Sequence, residues 1–175
     1  MGSKFSAIFG CLLAALFALL SSAPGISQTR TSLLSLSDKR YLETGSFQEV
    51  HTIAAIPQSV KVLLAEIEKS KHFAMADPGQ PFQATDVVTD PSLPWRRLIF
   101  AGLADKYCLV LYEYGGFAAG SAVLLFKLEG SQAKLLWGAY TGNPKNMREF
   151  RHRLDTYPVY PLPWVRDWRR THDAK

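Results

Sequence analysis

The alternation of hydrophobic and polar positions is most regular in the middle of the chain, where it predicts four consecutive β-strands. β-Branched, aromatic and aliphatic residues dominate these segments, and short runs of glycine and charged residues separate them. Connections this short join antiparallel neighbours, because the crossover between parallel strands needs a dozen or more residues. The pattern therefore predicts an antiparallel meander with strands at residues 97–101, 107–114, 122–128 and 133–140.

The second of these strands is apolar on both faces. Residues 107–112 read Tyr-Cys-Leu-Val-Leu-Tyr, so neither face carries a charge. A strand of this kind belongs in the centre of a sheet, with a helix covering it on at least one side. We expect Cys108 to be a small buried hydrophobic residue within it rather than a catalytic nucleophile.

Two helices flank the predicted meander. The first begins near Pro57, and its apolar residues recur at helical spacing. The second is predicted to use Asn143 as its N-cap and Pro144 as its first helical residue, and to end before Pro158. The predicted fold class is α+β, with the four-stranded antiparallel meander packed against an N-terminal helix and a short C-terminal helix. The apolar stripe of the first helix consists of Val60, Leu63, Leu64 and Ile67.

The N-terminus carries the pattern of a cleavable export signal. Residues 7–20 form an uncharged apolar run behind Lys4. The run has the length of a signal-peptide core and is shorter than the about 20 residues that a membrane span needs. Cleavage after Ser27 predicts a secreted or periplasmic protein with no transmembrane span. An uncleaved membrane anchor is the alternative.

The composition and length of the chain indicate a single domain. The chain is 47% hydrophobic and 20% charged, which excludes intrinsic disorder, and its 175 residues suit a single globular unit. No N-glycosylation acceptor is present, which favours a bacterial over a eukaryotic source. The predicted parts are a signal peptide (1–27), a polar leader (28–50), a single α+β domain (51–156) and a tail rich in proline, aromatic and basic residues (157–175).

The positive charge of the exported chain lies at its C-terminal end. Residues 28–144 hold 11 Lys or Arg and 11 Asp or Glu, whereas residues 145–175 hold 8 and 4. Basic and aromatic side chains together suit an anionic partner such as a lipid head group, an acidic protein or a polyanion. The alternative is that the aromatic residues pack on the sheet and the arginines face solvent. The candidate binding residues are Arg166, Arg169, Arg170, Trp164 and Trp168, with Phe117 at the tip of a glycine-rich hairpin.

No catalytic or cofactor motif stands out. The chain has no H-E-x-x-H, C-x-x-C or G-x-S-x-G motif, no phosphate-binding glycine spacing and no specific nucleic-acid motif. We therefore name no catalytic residue, metal ligand or cofactor. The sequence favours an exported non-enzymatic binding or interaction protein of unknown ligand. The alternative is a small secreted or periplasmic enzyme of unknown reaction.

Overall fold

The computed structural model describes residues 34–157 and 159–172. The predicted signal peptide and the first residues of the predicted leader lie outside this range. The helices are α1 (Leu36–Thr44), α2 (Gln58–Ile67), α3 (Met147–Thr156) and α4 (Pro163–His172). The strands are β1 (Gln48–Val50), β2 (Arg96–Leu103), β3 (Tyr107–Tyr114), β4 (Gly120–Glu129), β5 (Gln132–Thr141) and β6 (Tyr160–Pro161).

In the part of the chain that the structure describes, the sheet has six antiparallel strands in chain order, so the prediction of four strands is wrong. The four predicted strands are confirmed as β2 to β5. The two additional strands lie at the edges, where β1 pairs with β2 and β6 pairs with β5. They have only three and two residues, which is too short for a detectable alternation of apolar and polar positions.

Helices cover both faces of the sheet. On the first face, α2 and α4 bury Leu64 and Val165 against the strands. On the second face, α1 and α3 bury Leu42 and Phe150. The central strand β3 contributes buried side chains to both layers, as its apolar sequence predicts. The domain is therefore a three-layer α+β sandwich.

The segment predicted as a loose polar leader contains α1 and β1. Ser35 caps α1 by accepting a hydrogen bond from the backbone N–H of Asp38, at 3.1 Å. Tyr41 stacks on Tyr107 with ring centroids 4.4 Å apart, and Tyr107 donates a hydrogen bond to Asp38 at 2.7 Å. These long-range contacts, together with the buried Leu42, attach the helix to the sheet. Few apolar residues anchor α1, so its sequence shows no strong helical period.

The N-cap of α3 is Asn146, so the prediction of Asn143 at this position is wrong. The Asn146 side chain accepts a hydrogen bond from the backbone N–H of Glu149, at 2.9 Å. Glu149 in turn accepts one from the backbone N–H of Lys145, also at 2.9 Å. The first bond satisfies a donor that the first turn of a helix leaves unpaired, and the second holds the residue that precedes the N-cap. The helix therefore starts at Met147.

Candidate ligand-binding cleft

A cleft of about 470 Å³ opens at one end of the sheet, on the face covered by α2 and α4. Four neighbouring strands, β2 to β5, form its floor. Ile67 at the end of α2 and Trp164 in the first turn of α4 stand on its sides. We call it the sheet-end cleft; it is lined by Ile67, Trp95, Arg96, Tyr112, Tyr114, Gly115, Ala122, Tyr140, Leu162 and Trp164.

Aromatic rings dominate the lining of the sheet-end cleft. The ring centroids of Tyr112 and Tyr114 are 6.5 Å apart, and those of Tyr114 and Tyr140 are 6.4 Å apart. Gly120 makes room for this row, because a Cβ atom there would lie 2.8 Å from the Tyr114 hydroxyl. Trp95 and Tyr140 are 45% and 41% exposed, so they present ring surface to solvent.

One charged pair lies in the wall of the cleft. The guanidinium of Arg96 forms an ion pair with the Glu68 carboxylate and lies 5.6 Å from the centroid of the Tyr112 ring. The Arg96 and Glu68 side chains are 28% and 10% exposed. Burial raises the pKa of the Glu68 carboxyl, and the Arg96 charge opposes that rise. Burial also raises the pKa of Tyr112, to about 12.

A second cleft of about 720 Å³ adjoins the first and shares Trp95 and Arg96 with it. Glu68 and the loop residues that precede β2 line this second cleft. Buried Gln83 holds part of this loop, since its side-chain amide donates to the carbonyl of Asp90 at 2.6 Å. The ion pair of Glu68 and Arg96 therefore lies at the junction of two open spaces.

Neither a protein-family model nor a curated protein nor a solved structure matches this chain. Within the described residues, no group of three or more His, Cys, Asp or Glu side chains is placed to hold a metal ion. None of the helices in residues 34–157 and 159–172 has the length and apolar character required to cross a membrane.

The predicted C-terminal tail is docked on the sheet rather than free. Val165 is fully buried, and Trp164 and Trp168 pack against the same core. The backbone N–H of Leu162 donates to the carbonyl of Gly138 at 3.0 Å. A Cβ atom at Gly138 would lie 2.9 Å from Val165 and 3.0 Å from Leu162, so the glycine permits this close approach.

The structure separates the tail residues that the sequence grouped as one binding surface. Trp164 lines the sheet-end cleft, whereas Trp168 stacks on His172 with ring centroids 3.8 Å apart. Arg169 donates to the carbonyl of Leu136 at 2.8 Å. Arg166 and Arg170 are exposed, and neither lines the sheet-end cleft.

Phe117 has the exposed position that its glycine-rich hairpin predicts. It is 96% exposed in the loop between β3 and β4. The first residue of that loop, Gly115, lines the sheet-end cleft, and Gly116 has a φ of 99°, which favours glycine. The predicted candidates Phe117 and Trp164 are therefore associated with the same end of the sheet.

Cys108 is fully buried in β3, which confirms its predicted position. Burial raises the pKa of its thiol to about 12, so the reactive thiolate is strongly disfavoured. The thiol is part of the core that supports the cleft and does not line the cleft itself.

Sequence reasoning missed most of the residues that line the cleft. Trp95 and Arg96 follow a proline-rich loop, and Tyr112 and Tyr114 lie at alternate positions near the end of β3. The alternation of these tyrosines was a usable signal, because it places both on one face of a strand. Glu68 had no such signal, since only the tertiary structure brings the end of α2 to β2.

Proposed function

We propose that this protein is an exported, non-enzymatic binding protein whose ligand occupies the sheet-end cleft. The observation that carries the proposal is the row of tyrosines flanked by Trp95 and Trp164 in a cleft of about 470 Å³. Small-molecule sites are typically concave, lined by apolar and aromatic side chains, and about 300–1,000 Å³ in volume. The N-terminal sequence pattern supports the exported location.

The chemistry of the wall favours binding over catalysis. Tyr112 keeps its proton at physiological pH, as an ordinary tyrosine does, and burial raises its pKa further, to about 12. Arg96 and Glu68 are paired with each other, so neither is held as a separate acid or base. These groups suit recognition through hydrogen bonds and ring contacts.

Binding of the neutral fluorophore N-phenyl-1-naphthylamine tests the proposal. We expect saturable one-to-one binding that Trp95→Ala and Tyr140→Ala each weaken by about tenfold, because each removes exposed ring surface from the cleft. Tyr157→Ala is the matched control, since Tyr157 is an exposed aromatic residue that does not line the cleft. Absence of saturable binding, or equal losses in the control, would contradict the proposal.

The proposed export has its own test. Mass spectrometry of the protein recovered from the periplasm or medium should show Gln28 as the first residue, because the small residues Gly25 and Ser27 suit cleavage there. Intact protein beginning at Met1 in the membrane fraction would instead favour the uncleaved anchor.

A further inference from the structure

We propose that the ligand of the sheet-end cleft is an aromatic anion, whose carboxylate or sulfonate group pairs with Arg96 in competition with Glu68. The inference rests on the proposed function, because it assigns a ligand class to the same cleft. It is carried by three features of the wall: a half-buried guanidinium, a buried carboxylate beside it, and the surrounding rings.

Within the described part of the chain, Arg96 is the one Lys or Arg residue that lines the sheet-end cleft. Its guanidinium carries five N–H donors in a planar fork, which is more than one carboxylate accepts. The side chain is 28% exposed and borders both clefts, so a ligand entering from either side reaches it. An anionic group is the partner that this geometry recognises best.

Glu68 is the resident anionic partner of Arg96. Its Oε1 atom is buried and contacts the Arg96 guanidinium, so the ion pair lies in the wall of the cleft. An incoming anion would have to share Arg96 with this carboxylate. A ligand anion would be attracted by Arg96 and repelled by Glu68. The charge of Glu68 therefore sets the affinity for that anion.

The remainder of the cleft determines the body of the ligand. Tyr112, Tyr114 and Tyr140 form a row of tilted rings, and Trp95 and Trp164 add two indoles. Aromatic surfaces pack against other aromatic surfaces in offset or edge-to-face arrangements. A flat aromatic body bearing one acidic group matches both the rings and Arg96.

Two probes that share the anilinonaphthalene skeleton test this inference in the full exported chain. 8-Anilinonaphthalene-1-sulfonate carries a negative charge, and N-phenyl-1-naphthylamine is neutral. The variants are Glu68→Gln and the double variant Glu68→Gln/Arg96→Gln, which avoids a buried carboxylate without its partner. The controls are Glu66→Gln, an exposed carboxylate near the end of α2, and Arg166→Gln, an exposed arginine on α4.

We expect Glu68→Gln to strengthen binding of the sulfonate probe by about tenfold, because a repelling charge is removed while Arg96 remains. The double variant should bind it about tenfold more weakly than Glu68→Gln does, because the charged hydrogen-bond donor is lost. Binding of the neutral probe should change less than about twofold in both. Neither control should alter either probe.

Two results would overturn the inference. If the neutral probe binds in the cleft but the affinity of the sulfonate probe is the same in all variants, the ligand class is wrong and the proposed binding function stands. If the neutral probe does not bind the parent protein, the proposed function fails, and the ligand class fails with it.

Discussion

Leu162→Ala measures how far the C-terminal segment contributes to the core. Leu162 is almost fully buried between the sheet and α4, and its backbone is hydrogen-bonded to Gly138. Removing a buried leucine side chain to alanine costs about 2–5 kcal/mol. Leu162 also lines the sheet-end cleft, so the new cavity would be open to solvent, and we expect a loss of about 2–3 kcal/mol, in the lower part of that range.

The surface arginines provide the contrast. Arg166 and Arg170 are exposed on α4, so the double variant Arg166→Gln/Arg170→Gln should change the free energy of unfolding by less than about 0.5 kcal/mol. Arg169→Gln should cost about 1 kcal/mol, because it removes the charged donor bound to the carbonyl of Leu136. We therefore expect the parent and the double variant to be the most stable, Arg169→Gln to be less stable, and Leu162→Ala to be the least stable.

Urea unfolding followed by tryptophan fluorescence measures these differences. The midpoint and the slope should both be fitted, because an altered slope would mean that the unfolding transition itself has changed. If Leu162→Ala is as stable as the parent, the C-terminal segment does not contribute to the core. A large loss in the exposed double variant would show that charge, rather than apolar packing, holds that segment.

Three further predictions concern the core and the charged wall. Gly138→Ala should cost about 1–3 kcal/mol in urea unfolding, because its Cβ would lie 2.5 Å from Leu124 and 2.9 Å from Val165; unchanged stability would contradict the close approach. Cys108 should react with 5,5′-dithiobis(2-nitrobenzoate) only after denaturation, since burial raises its thiol pKa to about 12; rapid labelling of the native protein would oppose this. Burial raises the pKa of the Glu68 carboxyl, so the folded state keeps the Glu68 proton up to a higher pH than the unfolded state does. The parent should therefore lose stability relative to Glu68→Gln as the pH rises above about 4.3. Urea unfolding between pH 4 and pH 7 should show that the difference in free energy of unfolding between the two proteins grows with pH; a constant difference would contradict the raised pKa.

The sequence by itself determined the parts of the protein whose signal is local. Strands β2 to β5 show long apolar and β-branched runs, and α2 shows a full apolar stripe. The burial of Cys108 follows from the same runs, because a strand that is apolar on both faces belongs in the centre of a covered sheet. These features need no knowledge of any distant residue.

Only the tertiary structure determines the edge strands of the sheet and the packing of the segments before β1 and after α3. Strands β1 and β6 are too short to show a period, and α1 is held by a few contacts such as the stacking of Tyr41 on Tyr107. The tail became part of the core because Gly138 lets Leu162 and Val165 approach the sheet. Such docking depends on space left by a distant glycine, which a window of neighbouring residues does not reveal.

The sheet-end cleft is likewise a product of the tertiary structure. Its lining residues come from helix α2, four strands, the loops before β2 and after β3, and the tail, and each looks ordinary in its own segment. Two register shifts, in β2 next to Phe100 and between β4 and β5 next to Phe126, interrupt the simple alternation of faces. A bulge moves the following side chains to the opposite face, so alternation alone does not give the side of the sheet on which a residue lies. Glu68 meets Arg96 only because the end of α2 packs over the start of β2, and that meeting is a property of the fold rather than of either segment.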